Sequence, residues 1–261
     1  MPPERTLMGR VPVKSQREIV LMRESSRIVA EVLALVGSHI RPGVTTGELD
    51  RIAEEYIRSN GGEPAFKGYG HDPKNLFPGT LCISIDDEVV HGIPGERALH
   101  DGEVVSVDVG VKKQGYYGDG ARTYPVGETN PVKTKLLRVT EESLYRGIAQ
   151  ARAGNRLHDV SHAVQEHVEG EGFSVVRDLV GHGIGRSLHE EPAVPNYGVA
   201  GTGLVLKQGM ALAIEPMVNA GTHRVRLEND GWTVRTADGK PSAHFEHTVV
   251  ITTGEPEILT R

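Results

Sequence analysis

Two carboxylates, Asp108 and Asp119, bracket a sharp turn in this chain. The run is Val104-Val105-Ser106-Val107-Asp108-Val109-Gly110-Val111, then Lys112-Lys113-Gln114-Gly115, then Tyr116-Tyr117-Gly118-Asp119. β-Formers on both sides of a short polar break read as strand, tight turn, strand. A hairpin centred on Lys113-Gln114 sets residues 108 and 119 directly opposite each other on one face, with Cβ atoms roughly 4.5–5.5 Å apart. Like charges there repel. A positive charge between them lets a sheet carry both, and a metal ion is the simplest candidate.

Three further segments hold residues that can ligate metal. His182 lies in the glycine-rich run Gly181-His182-Gly183-Ile184-Gly185, and His189 follows it. Glu215 ends the apolar run Met210-Ala211-Leu212-Ala213-Ile214, and Glu246 sits inside Ala243-His244-Phe245-Glu246-His247-Thr248-Val249-Val250. Both glutamates stand in what reads as interior strand, where charged groups are rarely buried unless paired. Each residue has a plainer reading taken singly: a strand aspartate on a solvated face, a structural histidine, a glutamate marking a strand end before Pro216. Those readings must all hold together, and the spacing of Asp108 and Asp119 opposes them. Four carboxylates and one imidazole are the wrong set for a structural zinc, which favours Cys and His. They suit a pair of divalent ions held mainly by oxygen, and two such ions about 3.5–4 Å apart can clamp a displacement by water.

The chain has 261 residues, enough for one large α/β domain or two smaller ones. A net charge of −6 and scattered basic residues give no nucleic-acid footprint. Cys82 is the single cysteine, so no intrachain disulfide can form, in keeping with a reducing compartment. The start, Met1-Pro2-Pro3-Glu4-Arg5, has no apolar signal core, and no run approaches the roughly 18 apolar residues of a membrane helix. A cytoplasmic protein, monomeric for want of an extended apolar interface pattern, is the expectation.

Residues 1–14 read as an extended arm, and 15–261 as one catalytic domain. Ser15-Gln16-Arg17-Glu18 is a capping box, followed at helical spacing by Ile19, Met22, Val29, Val32, Leu33 and Val36. Arg41-Pro42-Gly43 ends that helix. Thr45 and Glu48 open a second, which Asn60-Gly61-Gly62 closes. Strands are expected over Thr80–Ile85, Val104–Val111 and Gly118–Val126. The plan then repeats, with helices over 132–152 and from Leu157 to about Gly170, and strands at 173–179, 210–218, 232–235 and 243–252. Arg41, Gly43 and Gly61 recur 111 residues on as Arg152, Gly154 and Gly172. This suggests a duplicated helix–helix–sheet unit, about 15–127 and 130–252, each half giving two carboxylates to a site on a pseudo-twofold axis. Asp238-Gly239 is a strong hairpin signal. Folding there sets Glu246 opposite residues 231–233 and brings Trp232, the single tryptophan, beside the proposed metals.

From about residue 12 to its end the chain resembles the type I methionine aminopeptidases. The resemblance is carried by five ordered words: Cys82-Ile83-Ser84-Ile85 with His91-Gly92-Ile93-Pro94; Asp108 and Asp119; Gly181-His182-Gly183-Ile184-Gly185 with His189; Ile214-Glu215-Pro216; and Phe245-Glu246-His247-Thr248. It implies an α/β (α+β) pita-bread fold, a curved antiparallel sheet covered by helices with an internal pseudo-twofold repeat. It implies a dinuclear centre of Co, Mn, Fe or Zn on Asp108, Asp119, His182, Glu215 and Glu246, and a monovalent cation (Na or K) held by backbone carbonyls near Asp86. Glu215 is implied as the proton shuttle, with His91 and His189 facing the substrate. Tyr69, Cys82, Leu188 and Trp232 would form a pocket for the methionine of a nascent polypeptide, next to a small uncharged second residue. Ribosome proximity follows from the family's role.

The chain departs from that family in four ways. Asp86 stands where asparagine is usual, Leu188 where an aromatic is common, and the loop Gly68–Gly79 is longer. The arm lacks the zinc-binding extension of eukaryotic cytosolic relatives. The alternatives are an X-Pro aminopeptidase or prolidase of the same fold, a binding module that has lost its chemistry, and a creatine-type amidinohydrolase. The first usually carries a further N-terminal domain, the second loses ligands that this chain keeps, and the third needs a different histidine set.

Overall fold

The computed structural model describes residues 11–70 and 72–261. The arm expected over 1–14 therefore falls mostly outside the described residues. Its last part, 11–14, is irregular, and Lys14 N–H donates to Gly209 O at 2.7 Å.

Two helices, a set of strands, two more helices and a second set of strands follow in order. Helix α1, Gln16–His39, starts at the expected capping box. Ser15 N–H donates to Glu18 Oε2 at 2.8 Å and Glu18 N–H to Ser15 Oγ at 3.4 Å. Ile19, Met22, Val29, Val32, Leu33 and Val36 are buried, as their spacing predicts. Helix α2, Thr46–Ser59, is capped only from one side, by Glu48 N–H donating to Thr45 Oγ1 at 3.1 Å. Helix α3, Pro131–Gln150, opens on Asn130, whose Oδ1 accepts from Lys133 N–H at 3.0 Å. Helix α4 spans Leu157–Gly170 and packs on α3. Among the described residues no helix is long and apolar enough to cross a membrane.

Among the described residues the main sheet has nine strands, all paired antiparallel. Across it run Glu63–Pro64, Val104–Lys113, Tyr116–Pro125, Glu246–Val250, Ala211–Ile214, Gly181–Gly183 and Glu190–Val194. Cys82–Ile85 joins beside Val104–Lys113, and Glu257–Ile258 beside Glu246–Val250. The halves of the chain meet at the centre, where Glu246 pairs with Ala121 and His247 with Gly120. Each half packs its own apolar core: α1 and α2 with the Val104–Lys113 face, α3 and α4 with the strands that follow them. This is the antiparallel, helix-covered architecture the sequence leads one to expect.

Two registers differ from expectation. The hairpin turns at Gln114-Gly115, not at Lys113-Gln114. Both turn residues have positive φ, 51° and 81°, the backbone that a two-residue loop needs to match strand twist and that glycine adopts freely. Lys113 therefore pairs with Tyr116, Asp119 faces Gly110, and Asp108 faces Ala121. Moving the turn by one residue moves every pair by two. That preserves the face, so the two carboxylates are diagonal neighbours on one side of the sheet.

The chain also reverses at Asp238-Gly239, but its flanks do not pair with each other. Val234–Thr236 pairs with Val225–Leu227 and with Glu88–Val90, while Ser242–His244 pairs with Met217–Asn219. The Asp238 carboxylate accepts from Thr222 N–H and Lys240 N–H, and Ser242 N–H donates to Asp86 O. These contacts to remote segments outcompete a local hairpin, so Glu246 lies opposite Ala121 and not 231–233.

Candidate metal centre and active site

Five elements of the main sheet deliver the five proposed ligands to one point. Asp108 and Asp119 come from the hairpin, and Glu246 is the first residue of its strand. Glu215 follows Ala211–Ile214 at the break before Pro216. His182 is the middle residue of Gly181–Gly183, and its flanking glycines explain how it gets there. A Cβ on Gly181 would stand 2.4 Å from Ala213 O, and one on Gly183 2.2 Å from Glu191 O. Only a strand without those side chains can thread between its neighbours and leave the imidazole pointing inward.

Ligand atoms of Asp119, His182 and Glu246 lie within 4.8 Å of one another. His182 Nε2 is 3.8 Å from Asp119 Oδ2 and 3.6 Å from Glu215 Oε1. His182 Nδ1 is 2.9 Å from Gly183 O. A carbonyl only accepts, so the ring proton sits on Nδ1 and the bare Nε2 lone pair faces two carboxylates. Asp108 Oδ1 and Glu246 Oε1 are buried without a hydrogen-bond partner among the described residues. Burial, reinforced by the neighbouring acids, drives Asp108, Glu215 and Glu246 well above the usual carboxylate range. Burial also pushes Asp119 up to about 7 and His182 down to about 3. Acceptors thus converge on acceptors, with orphaned oxygens between them. That donor set fits divalent cations, whose charge would satisfy all of it at once.

These residues floor a cavity of about 120 Å³. Tyr69, Cys82, His91, Leu188, His189 and Trp232, each expected at the site, all line it. Trp232 arrives by a route other than the expected hairpin. Its N–H donates to Asp230 Oδ1 at 2.8 Å and its indole Nε1 to Asn75 O at 3.2 Å, which hangs it from the 68–79 loop. His91 holds a left-handed backbone at φ 60° and is pushed down to about 4 by burial, so it enters the site neutral.

Sequence reasoning missed Phe66 and Phe77, which complete the apolar wall with Cys82 and Leu188. Phe77 meets Trp232 edge to face at 5.3 Å. The signal was present: two aromatics bracket the long loop. Gly68 N–H donates to Phe77 O and Phe77 N–H to Tyr69 O, which closes that loop on itself and turns both rings inward. His244, also unremarked in the sequence, is buried with Nε2 3.5 Å from Glu215 Oε2.

Known proteins resemble this chain over nearly its whole length. A model of metallopeptidase family M24 matches residues 20–253. A methionine aminopeptidase of Bacillus subtilis is 54% identical over 248 residues, covering 95% of this chain and 98% of that one. The crystal structure of a methionine aminopeptidase from Thermotoga maritima superposes with a TM-score of 0.93 at 47% identity, covering 97% of this chain and all of that one. An Xaa-Pro dipeptidase from Bacillus anthracis superposes at 0.76 with 22% identity, and this chain spans 62% of its length. That last likeness is one of fold alone.

Proposed function

This chain belongs to metallopeptidase family M24, and from that premise we propose that it is a methionine aminopeptidase, a metal-dependent hydrolase that removes the N-terminal methionine of polypeptides. The observation that carries the reading is the convergence of Asp108, Asp119, His182, Glu215 and Glu246, with unpartnered buried oxygens, at the floor of a small apolar pocket.

Those five residues would hold two divalent ions, and their mixed oxygen and nitrogen donors accept Mn, Fe, Co or Zn. Such ions supply Lewis acidity, which activates water and polarises the scissile carbonyl. The remaining work belongs to the protein. Glu215, buried and raised above the usual carboxylate range, takes a proton from the attacking water and passes it to the leaving nitrogen. His189 donates to the oxygen on which negative charge develops. His91, neutral in its buried niche, hydrogen-bonds the departing amide. Phe66, Phe77, Cys82, Leu188 and Trp232 take the unbranched thioether. A cavity of about 120 Å³ is near the size that accepts a benzene ring in other proteins, roughly 150 Å³, and sulfur against aromatic edges adds about 0.3–1.5 kcal/mol. Tyr69 and His189 meet across the mouth, which favours a small second residue. The nascent chain is the partner in this reading. Backbone carbonyls near residue 86 would hold a monovalent cation (Na or K) in this reading: the Asp86 carboxylate pairs with Lys133 Nζ at 2.6 Å, while its carbonyl accepts from Ser242 N–H and keeps a second lone pair.

Purified protein stripped of metal and reloaded singly with Mn, Co, Fe or Zn tests this. Met-Gly-Met should be cleaved and an Ala-Pro peptide left intact, and Asp108→Ala should lose turnover and metal together. Cleavage of the Ala-Pro peptide in preference to Met-Gly-Met, or full activity of metal-depleted Asp108→Ala, overturns it.

A further inference from the structure

Hydrogen bonds recur in the two halves at offsets that hold within each segment: 111 residues from 43 to 45, 107 from 98 to 103 and 125 at Val126. Gly43 N–H donates to Leu99 O and Leu99 N–H to Val44 O; Gly154 N–H donates to Leu206 O and Leu206 N–H to Asn155 O. Gly102 N–H donates to Val126 O and Val126 N–H to Glu103 O; Gly209 N–H donates to Ile251 O and Ile251 N–H to Met210 O. The bridge Thr45–Ala98 recurs as Arg156–Val205. Carrying this correspondence along the strands matches Asp108 with Glu215, Gly110 with Met217, Asp119 with His244, and Ala121 with Glu246. The pairings agree, since Gly110 faces Asp119 and Met217 faces His244.

A second feature obeys the same correspondence. Thr248 Oγ1 accepts from Asp119 N–H at 3.0 Å and donates to Asp119 O at 2.8 Å. Thr123 Oγ1 accepts from His244 N–H at 2.9 Å and donates to His244 O at 2.8 Å. One threonine hydroxyl grips both backbone groups of Asp119, and the matching threonine grips both of His244. Each half contributes two of the four carboxylates, and Asp108 and Glu215 are matched, but the second of each half is not: Ala121 stands where the second half has Glu246, and His244 stands where the first half has Asp119.

His244 is only 1% exposed, and its Nε2 has no hydrogen-bond partner among the described residues. That atom lies 3.5 Å from Glu215 Oε2, while Glu215 Oε1 lies 3.6 Å from His182 Nε2. We propose that His244 is a positioning residue for Glu215. The Thr123 clamp fixes its backbone, and its imidazole N–H steers one carboxylate oxygen so that the other faces the ligand cluster. Contacts of this kind are often long before substrate binds and tighten in the working complex. Glu215 is thus held from outside the ligand set, as ligating carboxylates are in other metal sites.

The inference rests on the aminopeptidase reading, and the experiment separates the two. Wild type, His244→Ala, His244→Leu and His244→Gln are each loaded with Co(II) and compared by kinetics on Met-Ala-Ser, by the visible absorption of the bound ion and by thermal melting. Alanine and leucine should lower kcat about 10–100-fold with little change in KM and shift the Co(II) bands. Glutamine keeps an N–H on a side chain of similar reach and should recover kcat to within about fivefold. Wild-type kcat and spectrum in the leucine variant overturn the proposal. So does a glutamine variant as slow as leucine with unshifted bands, since that outcome means packing alone matters. Should alanine fail to fold, leucine against glutamine decides. A wild type that binds Co(II) but does not cleave the peptide overturns the aminopeptidase reading instead, and the spectra then decide the role of His244 by themselves.

Discussion

The phenol oxygen of Tyr69 lies 2.7 Å from His189 Nδ1, joining the 68–79 loop to the edge of the metal cluster. The His189 ring in turn packs edge to face on His182 at 4.3 Å. A phenol that donates to Nδ1 leaves the ring proton on Nε2, the atom free to donate to a substrate oxygen. Tyr69→Phe removes that bias and should lower kcat/KM on Met-Ala-Ser about 3- to 10-fold, in line with about 0.5–1.5 kcal/mol for one neutral hydrogen bond. Unchanged kcat/KM would show that the contact does not organise His189.

Metal uptake should release protons. In the metal-free protein burial pushes Asp119 up to about 7 and, with the neighbouring acids, holds Asp108, Glu215 and Glu246 well above the usual carboxylate range. The folded acids hold protons that a cation must displace, so affinity should climb as pH rises from about 5.5 to 7.5, through the Asp119 value. Titration calorimetry with Mn in two buffers of different ionisation heat measures the release directly. Buffer-independent heats at pH 6.5 would contradict it. The stability of the metal-free protein moves the opposite way. Between the ordinary aspartate value of 3.8 and about 7, the folded metal-free chain keeps a proton on Asp119 that the unfolded chain has lost, so this group's contribution falls as pH rises.

Gly183 is irreplaceable on steric grounds, because a Cβ there would lie 2.2 Å from the Glu191 carbonyl oxygen. Gly183→Ala must push the Glu190–Val194 strand aside, at a cost of about 1–3 kcal/mol, and drag His182 with it. Urea melting should show the loss of stability and calorimetry a weaker metal site. A variant that melts and binds as wild type does would mean the strands part freely.

Lys14 and Glu190 form a buried ion pair, with side chains only 4% and 11% exposed. The same carboxylate accepts from Arg186 N–H and Ser187 N–H and so shapes the loop that ends in His189. Lys14→Ala leaves a buried charge without its partner, which typically costs about 3–5 kcal/mol. Lys14→Met with Glu190→Gln should be milder than Lys14→Ala alone by urea melting. Equal losses in the two would assign the cost to packing of the lysine stem.

The four helices, the capping box at Ser15 and the burial of Ile19, Met22 and Val29 were legible because helical period and end signals are local. The five converging acids and imidazole were legible because charge inside apolar strand sequence is costly wherever the strand ends up. Phe66 and Phe77 visibly bracket the long loop, but with no period to announce which way they face, their place in the wall was not legible. Trp232 was placed in the pocket for the wrong reason, since its actual tether is the carbonyl of Asn75, far away in the chain.

Amino-acid order by itself determined the four helices, the longer strands and the chemical types needed at the site, each set by interactions within a few residues, while short strands such as Gly181–Gly183 and Glu190–Val194 came only with their partners. Tertiary structure alone decided that Asp119 faces Gly110, that Glu246 lies against Ala121 and that His244 comes to Glu215. The reason is competition: a strand's hydrogen-bonding edge accepts several partners, and the choice falls to whichever remote segment satisfies most buried polar groups at once.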